Sequence, residues 1–188
     1  MKKKRGLRII VGGPPNSGKS TFAVSLTMAL HLLGVDAFVQ DLDLASETVK
    51  FITGEENWKN RAKLKKEWTT DLAKEAAKQF KEASSNYDLV IGDAPGKITE
   101  ITRIISQEAS HSAICCRDDC KNEIEEWQTL FKELKKEVIV IVTSKPNGTE
   151  SISVDGIIRA TLTGLNRKPK VDGIIRAVAW HIKRKLDI

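Results

Sequence analysis

The stretch Gly13-Pro14-Pro15-Asn16-Ser17-Gly18-Lys19-Ser20 decides how the rest of this chain is read. It fits G-x-x-x-x-G-K-[ST], the Walker A pattern. The apolar run Leu7–Val11 precedes it and reads as a short buried strand. Ser20–Leu33 follows as a helix, with Phe22, Leu26, Ala29, Leu30 and Leu33 on one face and Gly34 as a stop. A loop between a buried strand and a helix N-terminus is the context that this chemistry needs. Glycines let the backbone curl so that N–H groups point inward, and the helix end adds positive potential. The pattern implies a phosphate cradle built from Gly13, Pro14, Asn16, Ser17, Gly18, Lys19, Ser20 and Thr21. Lys19 would bridge β- and γ-phosphate oxygens, and Ser20 would ligate Mg²⁺. A chance glycine-rich turn is the competing reading, and the flanks speak against it.

A second signal lies in Leu89-Val90-Ile91-Gly92-Asp93-Ala94-Pro95-Gly96. An apolar strand ending in Asp is what a Walker B carboxylate requires, because Asp93 must reach the metal shell at the sheet's carboxyl edge. Gly96 would let this loop approach the γ-phosphate. Asp41 and Asp43 follow the second strand, whose end faces the same edge. They could hold Mg²⁺ through water, orient an attacking water or deprotonate an acceptor hydroxyl. Asp41, directly after the strand, is the better catalytic candidate, and Asp43 the better metal candidate. The plain alternative for either is a polar strand exit or a cap on the next turn.

Composition sets the frame. With 188 residues the chain suits one domain, and a domain of this size buries roughly 70% of its unfolded surface. Lys+Arg total 31 against 25 Asp+Glu, a net charge of +6 that suits anionic partners without demanding nucleic acid. No apolar run approaches the roughly 20 residues of a membrane span. The Lys2–Arg5 start imitates a signal peptide, but Leu7–Val11 is too short for its apolar core. Three cysteines, two of them adjacent, make a poor disulfide framework, so a reducing cytoplasm is expected.

Further strands are expected at Asp36–Asp41, Tyr87–Ile91, Ser112–Cys116 and Val138–Thr143. Helices are expected at Thr99–Ala109 and Asn122–Lys136, the latter opened by a capping box of Asn122 and Glu125. This alternation predicts a doubly wound α/β fold with a mainly parallel sheet and helices on both faces. A charged helical insertion is expected at about 54–83. In the tail, Asp155-Gly156-Ile157-Ile158-Arg159-Ala160 recurs as Asp172-Gly173-Ile174-Ile175-Arg176-Ala177. The first copy sits among β-branched residues and predicts a strand or hairpin. The second runs into Val178, Ile182 and Leu186 at helical spacing.

On these residues the chain resembles P-loop NTPases of the class holding signal-recognition GTPases, MinD-type ATPases and small metabolite kinases. It lacks the second lysine that opens the loop in the MinD and ParA branch, since Pro14-Pro15 follows Gly12-Gly13. More closely, it is similar to the AAA-like P-loop domain associated with small CRISPR ring nucleases that cleave cyclic oligoadenylate. That similarity is carried by Gly12–Ser20, Gly34–Val39, Gly54–Trp58, Asp93–Thr99 and Leu165–Arg167. The resemblance implies nucleotide binding, and a homodimer or nuclease partner.

Other residues refine the expectation. Thr143-Ser144-Lys145-Pro146 lacks the aspartate with which GTPases read guanine, so ATP is expected over GTP, with Lys145 or Pro146 near the base. Trp58 and Arg61 could meet a small acceptor, though a lone Trp is more often packing. Arg103 and Arg167 are arginine-finger candidates, with surface ion pairing as the plainer role. Cys115 and Cys116 would point to opposite faces of one strand and cannot share a metal. The basic ends, Lys2–Arg5 with Arg8 and Lys183–Lys185, could attract RNA or an acidic partner, but no aromatic stacking pattern accompanies them, and solvated termini are the plainer reading. The reading is a Mg²⁺-dependent ATP-binding protein, either an ATPase or a kinase for a nucleotide or metabolite. The alternative is an ATP-dependent switch that dimerises or binds a partner.

Overall fold

β1 (Leu7–Gly12) runs through the middle of a seven-stranded sheet, between β3 (Leu89–Asp93) and β4 (His111–Arg117). The computed structural model describes residues 6–44, 48–55, 67–166 and 168–188. β2 (Ala37–Asp41) lies outside β3, while β5 (Glu137–Lys145), β7 (Ile157–Thr163) and β6 (Ser151–Asp155) extend the other side. All neighbouring strands are parallel except the β6–β7 hairpin. The mainly parallel, doubly wound α/β expectation is therefore met.

A parallel strand covered on both faces reads as a near-continuous apolar run, and Ile9-Ile10-Val11 of β1 supply it. Ile9 and Val11 face a core formed with α1 (Lys19–Leu32) and the final helix α6 (Gly173–Leu186). Ile10 faces the other core, with Phe80 of α3 (Thr70–Ala83), Ile105 of α4 (Glu100–Ser106) and Trp127 of α5 (Lys121–Glu133). The same alternation parts Cys115 from Cys116, one in each core. A short helix α2 (Thr48–Ile52) follows β2.

The strand order reverses beside β1. The chain moves to β2 and β3 on one side, then to β4 and β5 on the other. Ligands bind at the carboxyl edge of such a switch point. Both sequence signals, the loop after β1 and the aspartate of β3, sit on that edge.

Several boundaries differ from expectation. The third strand is Leu89–Asp93 rather than Tyr87–Ile91, so Gly92 and Asp93 are themselves in the ladder. Gly92 tolerates this because a side chain there would strike Leu42 Cδ1 at 2.3 Å. Helix α5 begins at Lys121, with Cys120 at the cap and no capping side-chain bond. Asn122 thus lies inside the first turn, and the expected capping box is absent. Within the insertion, residues 56–66, including Trp58 and Arg61, lie outside the described residues. Its second half is α3, which Thr69 caps by accepting from the Leu72 N–H.

The repeated hexapeptide takes two structures. In the first copy Asp155 ends β6, Gly156 turns at φ +67, and Ile157-Ile158-Arg159-Ala160 enters β7. In the second, Asp172 caps α6 by accepting from the Ile175 N–H at 2.9 Å. Ile158 and Ile175 are both buried, but their partners recur at a period of two and of 3.6 respectively.

Candidate functional site

The loop after β1 is held open from beneath. Gly13 has φ +142, and a side chain there would meet the Cys115 carbonyl oxygen at 1.9 Å. Gly18, at φ +89, is the N-cap of α1, and a side chain there would stand 2.8 Å from Leu165 Cβ. No side chain caps this helix, and its first turn holds no acidic residue. Its leading N–H groups are therefore left for an anion. The Cys115 thiol donates to the Ser17 carbonyl at 3.2 Å, which fixes the loop floor to β4. Burial pushes both the Cys115 and Cys116 thiols up to about 12, so neither acts as a nucleophile at neutral pH.

Lys19 is buried, and its ammonium donates to the Pro14 carbonyl at 3.0 Å. Ser20 Oγ donates to Asp93 Oδ2 at 2.5 Å, linking the first turn of α1 to the end of β3. Asp93 Oδ1 and Ser17 Oγ are buried without a hydrogen-bond partner among the described residues. Such orphans are costly unless a ligand meets them.

Asp41 stands in register with Asp93 on the neighbouring parallel strand. Equal register puts both carboxylates on one face of the sheet. Burial first, and then the charge of Asp93, push the Asp41 carboxyl above its ordinary range. Burial also raises Asp93, against the opposing pull of Lys19 and the Ser20 hydroxyl. The oxygens of Asp41 are committed to backbone. Oδ2 accepts from the Val49 N–H at 2.6 Å, and Oδ1 accepts from the Asp43 N–H at 3.1 Å. Asp41 thereby ties the entrance of α2 to the end of β2.

A cavity of about 760 Å³ opens over this edge. Of the residues expected in the loop and metal shell, all face it except Gly13 and Pro14, and Asp41 also stays outside it. Asp43 does line it, so of Asp41, the last residue of β2, and Asp43 just beyond it, it is Asp43 that has access. Away from the loop the lining holds the apolar Ile52, Trp68 and Ile101 beside the polar Thr48, Lys97 and Thr99. A second cavity of about 420 Å³ adjoins the first through Asn16, Leu165 and Asn166, and Lys145 and Pro146 line it. Leu165 and Asn166 have no assigned role in the sequence reading. Their position just after β7, at the carboxyl edge, is the signal that marks them.

The donor set fits a small hard cation. Ser20 Oγ and the Asp93 carboxylate are oxygen ligands, and Asp93 Oδ1 lacks another partner. No group of three or more His, Cys, Asp or Glu able to hold a metal occurs among the described residues. The Ser20–Asp93 pair suits Mg²⁺, which takes one or two protein oxygens and completes its shell with phosphate and water.

Other described candidates are held by partners elsewhere. Arg103 pairs with Glu133 at 2.7 Å, and Arg167 lies outside the described residues. Arg8 donates to the Gly6 and Glu108 carbonyls and to Ser84 Oγ. Lys183 donates to the Leu33 carbonyl, while Lys185 meets the Gly156 carbonyl and Glu137. These cations are spent on the fold. No helix among the described residues is long and apolar enough to cross a membrane.

A glycine-rich loop from strand to helix, a buried lysine, and a hydroxyl bonded to a strand-end aspartate define a P-loop NTPase. Residues 8–120 match the sequence model of ATPase MipZ, and the chain belongs to that family. Among solved structures it is similar to an ADP-bound nucleotide-binding protein of Archaeoglobus fulgidus. That pair is 19% identical, with a TM-score of 0.58 over 97% of this chain and 79% of the other. It is also similar to the septum site-determining protein MinD of Pyrococcus horikoshii with Mg-ADP. Here identity is 13% and the TM-score 0.58, over 92% of this chain and 76% of the other. The MinC:MinD cell division complex of Aquifex aeolicus gives 14% identity and a TM-score of 0.51, over 75% and 69%. At these identities the likeness concerns the fold. No curated protein matches the chain.

Proposed function

We propose that this chain binds ATP with Mg²⁺ and hydrolyses it. The observation that carries the reading is the Ser20–Asp93 hydrogen bond, with Asp93 Oδ1 buried and unpartnered beside it. Membership in an ATPase family supports ATP as the nucleotide. The ADP and Mg-ADP found in two similar structures support the same cofactor pair.

The residues take distinct tasks. The N–H groups at the start of α1 receive the phosphates. Lys19 neutralises charge between the β- and γ-phosphates, and its bond to the Pro14 carbonyl holds it at the rim. Ser20 and Asp93 hold Mg²⁺, which supplies charge neutralisation on the phosphate oxygens. Asp43, facing the cavity, positions the attacking water, whose oxygen bonds to the γ-phosphorus as the bond to the ADP oxygen breaks, one water proton staying on the released phosphate and the other passing to solvent. Lys145 and Pro146 flank the base in the smaller cavity.

A second reading is a nucleotide-controlled switch, supported by a similar fold that occurs in a MinC:MinD complex. In this reading ATP governs dimerisation or partner binding. The kinase variant rests on Trp58 and Arg61, outside the described residues. The described lining of the cavity offers no cation for an acceptor phosphate beyond Lys19 and Lys97. A role beside a CRISPR-associated nuclease rests on short sequence matches alone. The fate of the γ-phosphate separates these readings. With γ-labelled ATP, label released wholly as inorganic phosphate supports hydrolysis. Label recovered in a nucleoside, nucleotide or metabolite would make the chain a kinase.

A further inference from the structure

The rim of the phosphate loop is unusually poor in donors. Backbone N–H groups are what such a loop offers to phosphate, and proline has none. Pro14 and Pro15 are consecutive, so two adjacent positions of the cradle are mute. The place where a second lysine can open the loop is also occupied by Pro14.

The segment after β3 closes on this same rim. A Cβ on Gly96 would stand 2.9 Å from Pro15 N and 3.1 Å from Pro15 Cα, so the two backbones touch. In the proposed ATP site Asp93–Gly96 approaches the terminal phosphate, so Pro15, which lines the cavity, would border that phosphate too. The next residue, Lys97, lines the cavity and is exposed. Lys19 and Lys97 are the cations among its described lining residues. The Lys97 ammonium makes no hydrogen bond or ion pair among the described residues, although its carbonyl accepts from Thr102 Oγ1. That bond anchors the backbone of Lys97 to α4 and leaves the side chain to the cavity. Thr102 itself is fully buried.

We infer that Lys97 is a γ-phosphate ligand, supplying from the neighbouring loop the charge and donors that Pro14 and Pro15 remove from the rim. The inference rests on the proposed ATP site and deepens it. Lys19 reaches the β-phosphate of any bound nucleotide as well as the γ-phosphate, whereas Lys97 serves only the terminal one. The protein then distinguishes ATP from ADP chiefly through Lys97.

Equilibrium titration of the full chain with Mg²⁺ and either ADP or a non-hydrolysable ATP analogue tests this. In Lys97→Met, which keeps the aliphatic stem, affinity for the analogue should fall about tenfold or more. Affinity for ADP should stay within a few-fold, and Lys97→Arg should restore most of the loss. Equal losses for both nucleotides, or no loss for either, would overturn the role of Lys97 while leaving the ATP site intact. Failure of the wild-type chain to bind either nucleotide would overturn the ATP reading and this one with it. Lys19→Ala provides the contrast, losing both ligands.

Discussion

Ser20 Oγ and Asp93 Oδ2 lie 2.5 Å apart, joining residues 73 positions apart in the chain at one point of the sheet's carboxyl edge. The bond gathers one hydroxyl and one carboxylate into a pair that a divalent cation can use. Replacing Asp93 by Asn keeps the shape and removes the charge. Mg²⁺-dependent ATP turnover should then fall by about 100-fold or more. Without nucleotide the variant should melt no lower than wild type, because the lost carboxylate is one that burial disfavours. A large drop in melting temperature would instead make Asp93 a structural residue.

Asp41 is the counterpart test. Its oxygens accept from the Val49 and Asp43 N–H groups, which describes a tether. Asp41→Asn should therefore retain hydrolysis within a few-fold. A general base would show a loss of about 100-fold or more in the same steady-state assay. Asp43→Asn, altering the aspartate on the cavity wall, should cost more activity than Asp41→Asn.

Much of this arrangement is legible in the sequence, and the reason is local. The loop needs glycine where φ is positive, and the buried strands read as apolar runs on both faces. The register of Asp41 against Asp93 is not legible, because it depends on which strands become neighbours. The tether at Asp41 hides for a similar reason: α2 has five residues, too few for a periodic signal. The contact between Gly18 and Leu165 spans the whole fold. Asn122 has the right residue type for a cap, yet the cap falls two residues earlier, at Cys120. The hexapeptide repeat shows the same limit, because the residues downstream decide its structure.

The loop floor gives a stability prediction. At Gly13 a methyl group would overlap the Cys115 carbonyl, and φ +142 strains any side chain. Gly13→Ala should cost about 3 kcal/mol or more, or prevent folding, as read by chemical denaturation. Gly34→Ala, with nothing within 4 Å of the added carbon but φ +76, should cost less. Similar losses at both positions would count against the packed floor.

A clamp far from the chemistry sets a pH dependence. Lys170 Nζ pairs with Asp172 Oδ2 at 2.6 Å and with Glu150 Oε1, which also accepts from the Thr163 N–H at 2.7 Å. Burial pushes both carboxyls up. For Glu150, Lys170 and Thr163 outweigh it, and for Asp172 the Ile175 N–H and Lys170 do, so both sit below their usual range. Carboxyls depressed in the fold add stability above their ordinary values and lose it as the pH falls through the depressed ones. The melting temperature should decline on acidification below about pH 4, with a shallower decline in Glu150→Gln. Lys170→Met should cost about 1 kcal/mol at neutral pH. An unchanged acid slope in Glu150→Gln would remove the clamp from the explanation.

The most direct measurement is phosphate release from ATP by the purified chain, with and without Mg²⁺, beside Lys19→Ala. Release by wild type that requires Mg²⁺ and falls by about 100-fold or more in Lys19→Ala is the expected result. Equal release by the two proteins, or release indifferent to Mg²⁺, would contradict an ATPase site built on Lys19, Ser20 and Asp93.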